Sequence, residues 1–180
     1  YRIAGGTKWA STAKLQMLSL ARRGSRLAAN ADCRISPDIS FAEGGLVRAL
    51  PDGLIYGEER LELSLGEDLD FASYQTAISG AAAAAELLGL ERVDTIRALE
   101  GFGGFSGRMK IERLDGRTVF DSSNSGLKVS DIERALDKAQ GPNLVAVVGE
   151  DAQTVCEGLD IPRLAELLRR RRSEIEDLVL

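Results

Sequence analysis

Two short stretches of this sequence gather side chains that could handle a charged ligand. The first is VFDSSNSG, Val119 to Gly126, where two apolar residues lead Asp121 into a run of small polar ones. If a strand ends at Asp121 and a helix begins past Gly126, the loop lies at the carboxyl edge of an α/β sheet. Such sheets bind their ligands at that edge. Unpaired amides and the helix dipole favour an anion there, and the hydroxyls of Ser122, Ser123 and Ser125 could add donors. The same pattern also fits an ordinary strand-to-helix connection whose Ser or Asn caps the helix. The second stretch is GFGGFSGRMK, Gly101 to Lys110. It is not a dinucleotide fingerprint, because Ser106 stands where the third glycine belongs and a helix precedes it instead of a strand. A hinge carrying an arginine fits better. Glycines absorb the backbone rotation of a domain closure, and a guanidinium fork clamps phosphate or ribose oxygens. A surface ion pair is the plain alternative for Arg108.

What is missing narrows the chemistry. The 180 residues contain no histidine, which excludes a serine–histidine triad, a histidine base and any histidine metal ligand within this segment. Cys33 and Cys156 are too few and too far apart for a disulfide framework or zinc site and are expected as buried small residues. GGTKWAST, from Gly5, lacks the spacing of a phosphate-cradling P-loop. The net charge of -5 gives no general attraction to nucleic acid or anionic membranes. Arg169 to Arg172 are the exception, and Glu166, Glu174 and Glu176 at helical spacings predict a solvated, salt-bridged face. No apolar run approaches the roughly 20 residues of a membrane span, so a reducing cytoplasm is the expected compartment. The opening YRIAGG reads as the inside of an element, so a fragment is expected.

The elements that must position these residues follow from periodicity and punctuation. Composition, with 44% apolar residues, abundant Ala, Leu and Gly and only 5% aromatics, suits an α/β protein. Trp9–Arg23 reads as a helix and Ser25–Ala29 as a short strand entering Asn30-Ala31-Asp32, where Asp32 is expected to cap the turn. Gly45–Leu65 reads as a β-meander, with turns at Pro51-Asp52-Gly53 and Gly57. Phe71–Leu88 is predicted as a helix so rich in alanine that its partners must come close, ended by Gly89. A shorter helix follows over Val93–Glu100. Arg108–Leu114 and Thr118–Asp121 are predicted strands joined by Asp115-Gly116. Val129–Ala139 is a predicted helix with Ile132, Ala135, Leu136 and Ala139 on one face. Leu144–Val148 is wholly apolar, as in a parallel sheet covered on both faces. Pro162 opens the last helix, where a missing amide proton costs nothing. Composition and period change across the glycine-rich stretch, which places a domain boundary there, with domains over 1–103 and 104–180.

Taken in order, four passages resemble the Mur ligase family along nearly the whole chain. Ala13-Lys14 followed by LAANAD is similar to the family's passage before its small meander. TAISGAAAAAELLGL is similar to the helix that borders the adenine pocket. LEGFGGFSGRMK is similar to the link between central and C-terminal domains, and VFDSSNSGLKVSDIERAL to the motif that opens the C-terminal domain. The resemblance implies the end of a central ATP-binding domain followed by a Rossmann-like α/β domain.

That resemblance also implies chemistry: an ATP-dependent ligase using Mg2+ held mainly by residues upstream. Arg108 matches the family arginine that contacts the nucleotide, and Asp121 the acidic residue near the ribose and phosphates. Ser123, Asn124 and Ser125 match the loop that faces the γ-phosphate and the acceptor. Ser73 and Tyr74 fall where relatives carry a His-Asn pair at the adenine, so this chain departs from the pattern there. The loop DSSNSG lacks the histidine or lysine of the peptidoglycan ligases and is most similar to the methanogen branch acting on a nickel tetrapyrrole. That branch activates a propionate as an acyl phosphate and closes a carbocyclic ring. An amino-acid-adding ligase of the UDP-MurNAc-alanine:glutamate or folylpolyglutamate type is the second reading, with Lys110 and Lys128 to clamp a carboxylate. A non-catalytic nucleotide-sensing α/β module is the third. The expected partners are ATP and a small molecule, without nucleic acid or membrane, in a monomer or weak homodimer.

Overall fold

A computed structural model describes residues 7–123, 127–149 and 159–180. Helix α1 runs Thr7–Leu20. The chain divides into two compact units, Arg22–Gly104 and Phe105–Leu180, the latter grouped with the stretch through Ala21.

In Arg22–Gly104, β1 (Ala28–Asn30), β2 (Ile39–Phe41), β3 (Val47–Leu50), β4 (Gly53–Tyr56) and β5 (Glu59–Glu62) form one sheet in chain order. β1, β2 and β3 are parallel neighbours, and β3, β4 and β5 form the antiparallel meander expected from the turn residues. Strand β1 sits later than Ser25–Ala29, because Asp38 holds the chain before it: its Oδ2 accepts the Leu27 amide proton at 2.7 Å. Strand β2 has no counterpart in the sequence reading; three residues with a central serine carry no period. Only glycine fits at Gly45 beyond it, since a Cβ there would stand 2.6 Å from the Phe41 carbonyl carbon. The turn after β1 is capped by Asn30, not Asp32, with Asn30 Oδ1 accepting the Asp32 amide proton at 2.9 Å. Cys33, in that turn, is exposed, against the expectation of burial.

Helix α2 (Phe71–Leu88) covers the sheet, and α3 (Arg92–Glu100) follows. Its start is fixed by Asp70, whose Oδ2 accepts from the Ser73 amide at 3.2 Å and the Ser73 hydroxyl at 2.5 Å. Its end is fixed by Gly89, left-handed at φ 74, whose amide caps Ala85 and Glu86 carbonyls. The alanines permit close approach: Ala82 and Ala83 are fully buried beside Val47, Leu54 and Ile78. Buried Ser79 accepts the Ala49 amide proton at 3.0 Å and donates to Gln75 O at 2.8 Å, so its burial is compensated.

In Phe105–Leu180, β6 (Lys110–Leu114) and β7 (Arg117–Asp121) form an antiparallel hairpin. Asp115 and Gly116, at φ 50 and 75, supply the two left-handed positions of its two-residue turn. Helices α4 (Val129–Lys138) and α5 (Ile161–Arg170) pack on β8 (Val145–Val147), which pairs in parallel with β9 (Asp177–Val179). Ile132, Leu136, Ala146, Val148, Leu164, Leu167 and Ile175 form this core. β8 is thus parallel as expected but not covered on both faces: Val145 and Val147 are 52% and 75% exposed. β9 was not read from the sequence. The arginine run is ion-paired as expected, but mainly to α4: Arg170 meets Glu133, and Arg171 meets Asp137 at 2.5 Å as well as Glu174 at 2.7 Å. Among the described residues no helix is long and apolar enough to cross a membrane.

Candidate functional site

The hairpin register decides what surrounds Asp121. Lys110 pairs with Asp121 across β6 and β7, which brings the residues just before β6 alongside the carboxyl end of β7. Asp121 Oδ2 accepts from the Gly107 amide at 2.7 Å and the Ser106 hydroxyl at 3.0 Å. Oδ1 accepts from the Ser123 amide at 3.1 Å and its hydroxyl at 2.6 Å. Each oxygen therefore holds one backbone donor and one hydroxyl. These donors stabilise the charged form, the Ser123 hydroxyl most, and hold the carboxyl at about 2, below its ordinary 3.8, against the opposing effect of burial.

Arg108 follows Gly107, whose amide donates to this carboxylate, and its side chain is exposed. Gly107 and Met109 on either side are left-handed, at φ 74 and 52, and the Met109 side chain is buried at 2% exposure. A non-glycine residue at positive φ is uncommon and needs support from its surroundings. Here the buried methionine and the pinned glycine flank an exposed residue. The Arg108 amide closes a turn onto Phe105 O at 3.1 Å. Among the described residues its guanidinium has no ion-pair or hydrogen-bond partner, and the surface ion pair considered from sequence is not formed with any of them. Five donors face outward.

Of the remaining expected site residues, Ser123 lies on Asp121 as above, while Asn124 and Ser125 fall outside the described residues. The helix after the loop is not capped by Ser or Asn. Asp131 Oδ2 accepts the Lys128 amide proton at 3.1 Å and fixes the start of α4. Ser73 and Tyr74 lie in the other unit, at the start of α2. The Ser73 hydroxyl serves the Asp70 cap. The Tyr74 ring is 4% exposed and meets Phe102 edge-to-face, centroids 5.3 Å apart. A Cβ at Gly104 would stand 3.2 Å from the Tyr74 hydroxyl, so the linker passes close over this ring. Sequence reasoning missed Ser106 and Gly107 as Asp121's partners. The signal was present: a two-residue turn at Asp115-Gly116 fixes the register that opposes Lys110 to Asp121. No group of three or more His, Cys, Asp or Glu converges as metal ligands among the described residues.

Comparison with known proteins gives these features a context. Residues 111–180 match the family described as "Coenzyme F430 synthetase CfbE, C-terminal domain". Over its whole length the chain is similar to a particular protein, coenzyme F(430) synthetase of Methanosarcina acetivorans. The two are 32% identical over 220 aligned residues, covering 100% of this chain and 46% of that protein. The chain therefore spans about half the length of the curated relative it matches. A solved structure of UDP-N-acetylmuramoylalanyl-D-glutamyl-2,6-diaminopimelate--D-alanyl-D-alanyl ligase from Acinetobacter baumannii is also similar. It aligns over 85% of this chain and 37% of its own, at 15% identity and a TM-score of 0.48. The family model and the curated relative agree with the branch that the loop DSSNSG resembles.

Proposed function

We propose that this chain is part of an ATP-dependent ligase with the activity of a coenzyme F(430) synthetase, closing a carbocyclic ring on a nickel tetrapyrrole. Similarity along the whole chain supports the assignment. The single structural observation that supports a role in nucleotide use is Arg108, an exposed, unpartnered guanidinium held between two left-handed residues at the end of the linker.

The chemistry follows from the weakness of a carboxylate as an acyl donor. A propionate oxygen attacks the γ-phosphorus of ATP; the new P–O bond forms, the bond to the β-phosphate oxygen breaks and ADP leaves. A carbon nucleophile of the same tetrapyrrole, having given up its proton, then attacks the acyl carbon. The carbon–carbon bond forms, the carbon–oxygen bond breaks and phosphate departs. Mg2+, when bound, neutralises charge on the phosphates; its ligands are assigned to upstream parts of the enzyme.

Within this chain, Arg108 directs its fixed donors at phosphate oxygens as charge moves. Ser123, Asn124 and Ser125 face the γ-phosphate and the acceptor, Asp121 stands beside the ribose and phosphates, and Ser73 and Tyr74 border the adenine. Rotation at the glycine-rich linker closes the site and shields the acyl phosphate from water. The enzyme is cytoplasmic, and a monomer or weak homodimer. An amino-acid acceptor is less well supported, because Lys110 is engaged by Glu112 at 2.6 Å and so is drawn away from a carboxylate clamp.

The test is turnover by the full-length protein with ATP and the nickel seco-tetrapyrrole. Ring closure with one ADP and one phosphate per product supports the reading. Ligation of glutamate or another amino acid, with no reaction on the tetrapyrrole, refutes it.

A further inference from the structure

We infer that Asp121 is a positioning residue that acts through the linker, locking Ser106 and Gly107 onto the end of β7 so that Arg108 is presented in one orientation. This rests on the proposed role of Arg108 in nucleotide use. Both carboxylate oxygens are already occupied by the protein's own donors: Gly107 and Ser106 on Oδ2, Ser123 twice on Oδ1. A carboxylate so engaged organises its surroundings before any ligand arrives. Each side of the linker is held within its own unit. Phe102 is anchored on Tyr74 and Gly104 passes close over it, while Ser106 and Gly107 are bonded to Asp121. Arg108 therefore sits between the locked Gly107 and the buried Met109, which fixes its backbone relative to the end of β7.

The arrangement demands a carboxylate. Each oxygen faces one backbone N–H, which can only donate. An asparagine at 121 therefore sets its NH2 against either Gly107 N–H or Ser123 N–H, whichever way the amide turns. The serine hydroxyls can reverse their role; the backbone amides cannot.

The experiment compares Asp121→Asn, Ser106→Ala and Arg108→Ala in the full-length protein. It reads hydrogen exchange at the Gly107 and Ser123 amides and KM and kcat for ATP. Asp121→Asn is expected to speed exchange at the Gly107 or the Ser123 amide, whichever meets the NH2, on the order of tenfold, the equivalent of one lost charge-assisted hydrogen bond, with protection in α2 and α4 unchanged. It should raise the KM for ATP as Arg108→Ala does, and the double variant should be no worse than Arg108→Ala alone, because both act on one group. Ser106→Ala removes a single bond; it should give a smaller change of the same kind and keeps the test open if Asp121→Asn does not fold. Unchanged exchange at the Gly107 and Ser123 amides alike in Asp121→Asn overturns the lock. Additive effects of Asp121→Asn and Arg108→Ala on KM overturn the coupling to Arg108. Wild-type protein that uses no ATP sinks the ligase reading instead, and the exchange data still decide the lock.

Discussion

The Arg92 guanidinium lies over the Tyr56 ring, 4.5 Å from its centroid, while Nε and Nη2 fork onto Glu86 at 3.0 and 2.7 Å. Glu59 pairs with its remaining nitrogen. Arg92 opens α3, Glu86 lies in the last turn of α2, Tyr56 ends β4 and Glu59 opens β5, so one side chain joins four elements of the Arg22–Gly104 unit. Its bond to Glu86 holds that carboxyl below its ordinary range. Arg92→Lys keeps the charge but loses the fork and the flat stacking face. A loss of about 1 kcal/mol is expected, and roughly 2 for Arg92→Ala, moderated by partial exposure. Denaturant titration of the unit checks both, and an Arg92→Lys as stable as wild type would show that the planar contact contributes nothing.

The Tyr56 hydroxyl beneath that stack is buried and has no hydrogen-bond partner among the described residues. Burial and the nearby Glu86 push its ionisation upward. Removing a polar atom that is desolvated without compensation should not cost stability. Tyr56→Phe is expected to be neutral or to stabilise by up to about 1 kcal/mol. Thermal melting decides, and a clear loss would mean that the hydroxyl has a partner.

The parts of this fold legible in the sequence are those written in period and punctuation. α2 was bounded to the residue because Gly89 stops it and an alanine run gives it one close-packing face. The meander was legible from its turn residues Pro51-Asp52-Gly53 and Gly57, and the hairpin because Asp115-Gly116 suits the two left-handed positions of its turn. β2 and β9, three residues each, were not, since their pairing partners lie elsewhere in the chain. For the same reason only the local partner of the arginine run, Glu174 on Arg171, was legible, and its partners on α4 were not. α4 and α5 are adjacent in space, so Arg170 and Arg171 reach Glu133 and Asp137 before Glu166. At the site, sequence singled out Asp121 and Arg108 but treated each as facing a ligand. Tertiary register, not residue type, turns the Asp121 carboxylate onto the protein's own amides.

The alanines of α2 make a testable claim about tolerance. Ala83 is fully buried in the core of its unit, whereas Ala84 beside it is exposed. Ala83→Leu must displace close-packed neighbours and is expected to cost about 1–3 kcal/mol. Ala84→Leu should stay within about 0.5 kcal/mol of wild type. Equal tolerance at the two positions in chemical denaturation would contradict the packing of α2 on β3.

Acid stability follows from Asp121. Its carboxyl is held at about 2 in the folded chain against an ordinary 3.8. A depressed folded value means that the stabilisation is complete above the unfolded value and is lost as pH falls through the folded one. The Ser106–Gly107 attachment should therefore hold unchanged at neutral pH and weaken only between about pH 4 and pH 2. Allowing for its partial exposure, about 1–2 kcal/mol is at stake. The Gly107 amide resonance, followed by NMR through an acid titration, should move with a midpoint near 2; a midpoint near 4 would show that the four donors do not hold the charge.

Arg108 separates nucleotide use from folding. Its side chain is exposed and has no partner among the described residues, so Arg108→Ala should leave the melting of the Phe105–Leu180 unit within about 0.5 kcal/mol of wild type. If its fork contacts phosphate in the full-length enzyme, the same change removes charge-assisted hydrogen bonds worth about 1.5–3 kcal/mol, roughly a ten- to hundredfold loss in kcat/KM for ATP. Arg108→Lys keeps the charge without the fork and should recover only part of that loss. The isolated 180-residue chain contains no P-loop sequence and is expected to show no ATP turnover of its own. Steady-state kinetics of the full-length variants, with melting curves as the control, read all of this. Unchanged ATP kinetics in a natively folded Arg108→Ala would remove the guanidinium from the reaction and leave it a surface charge.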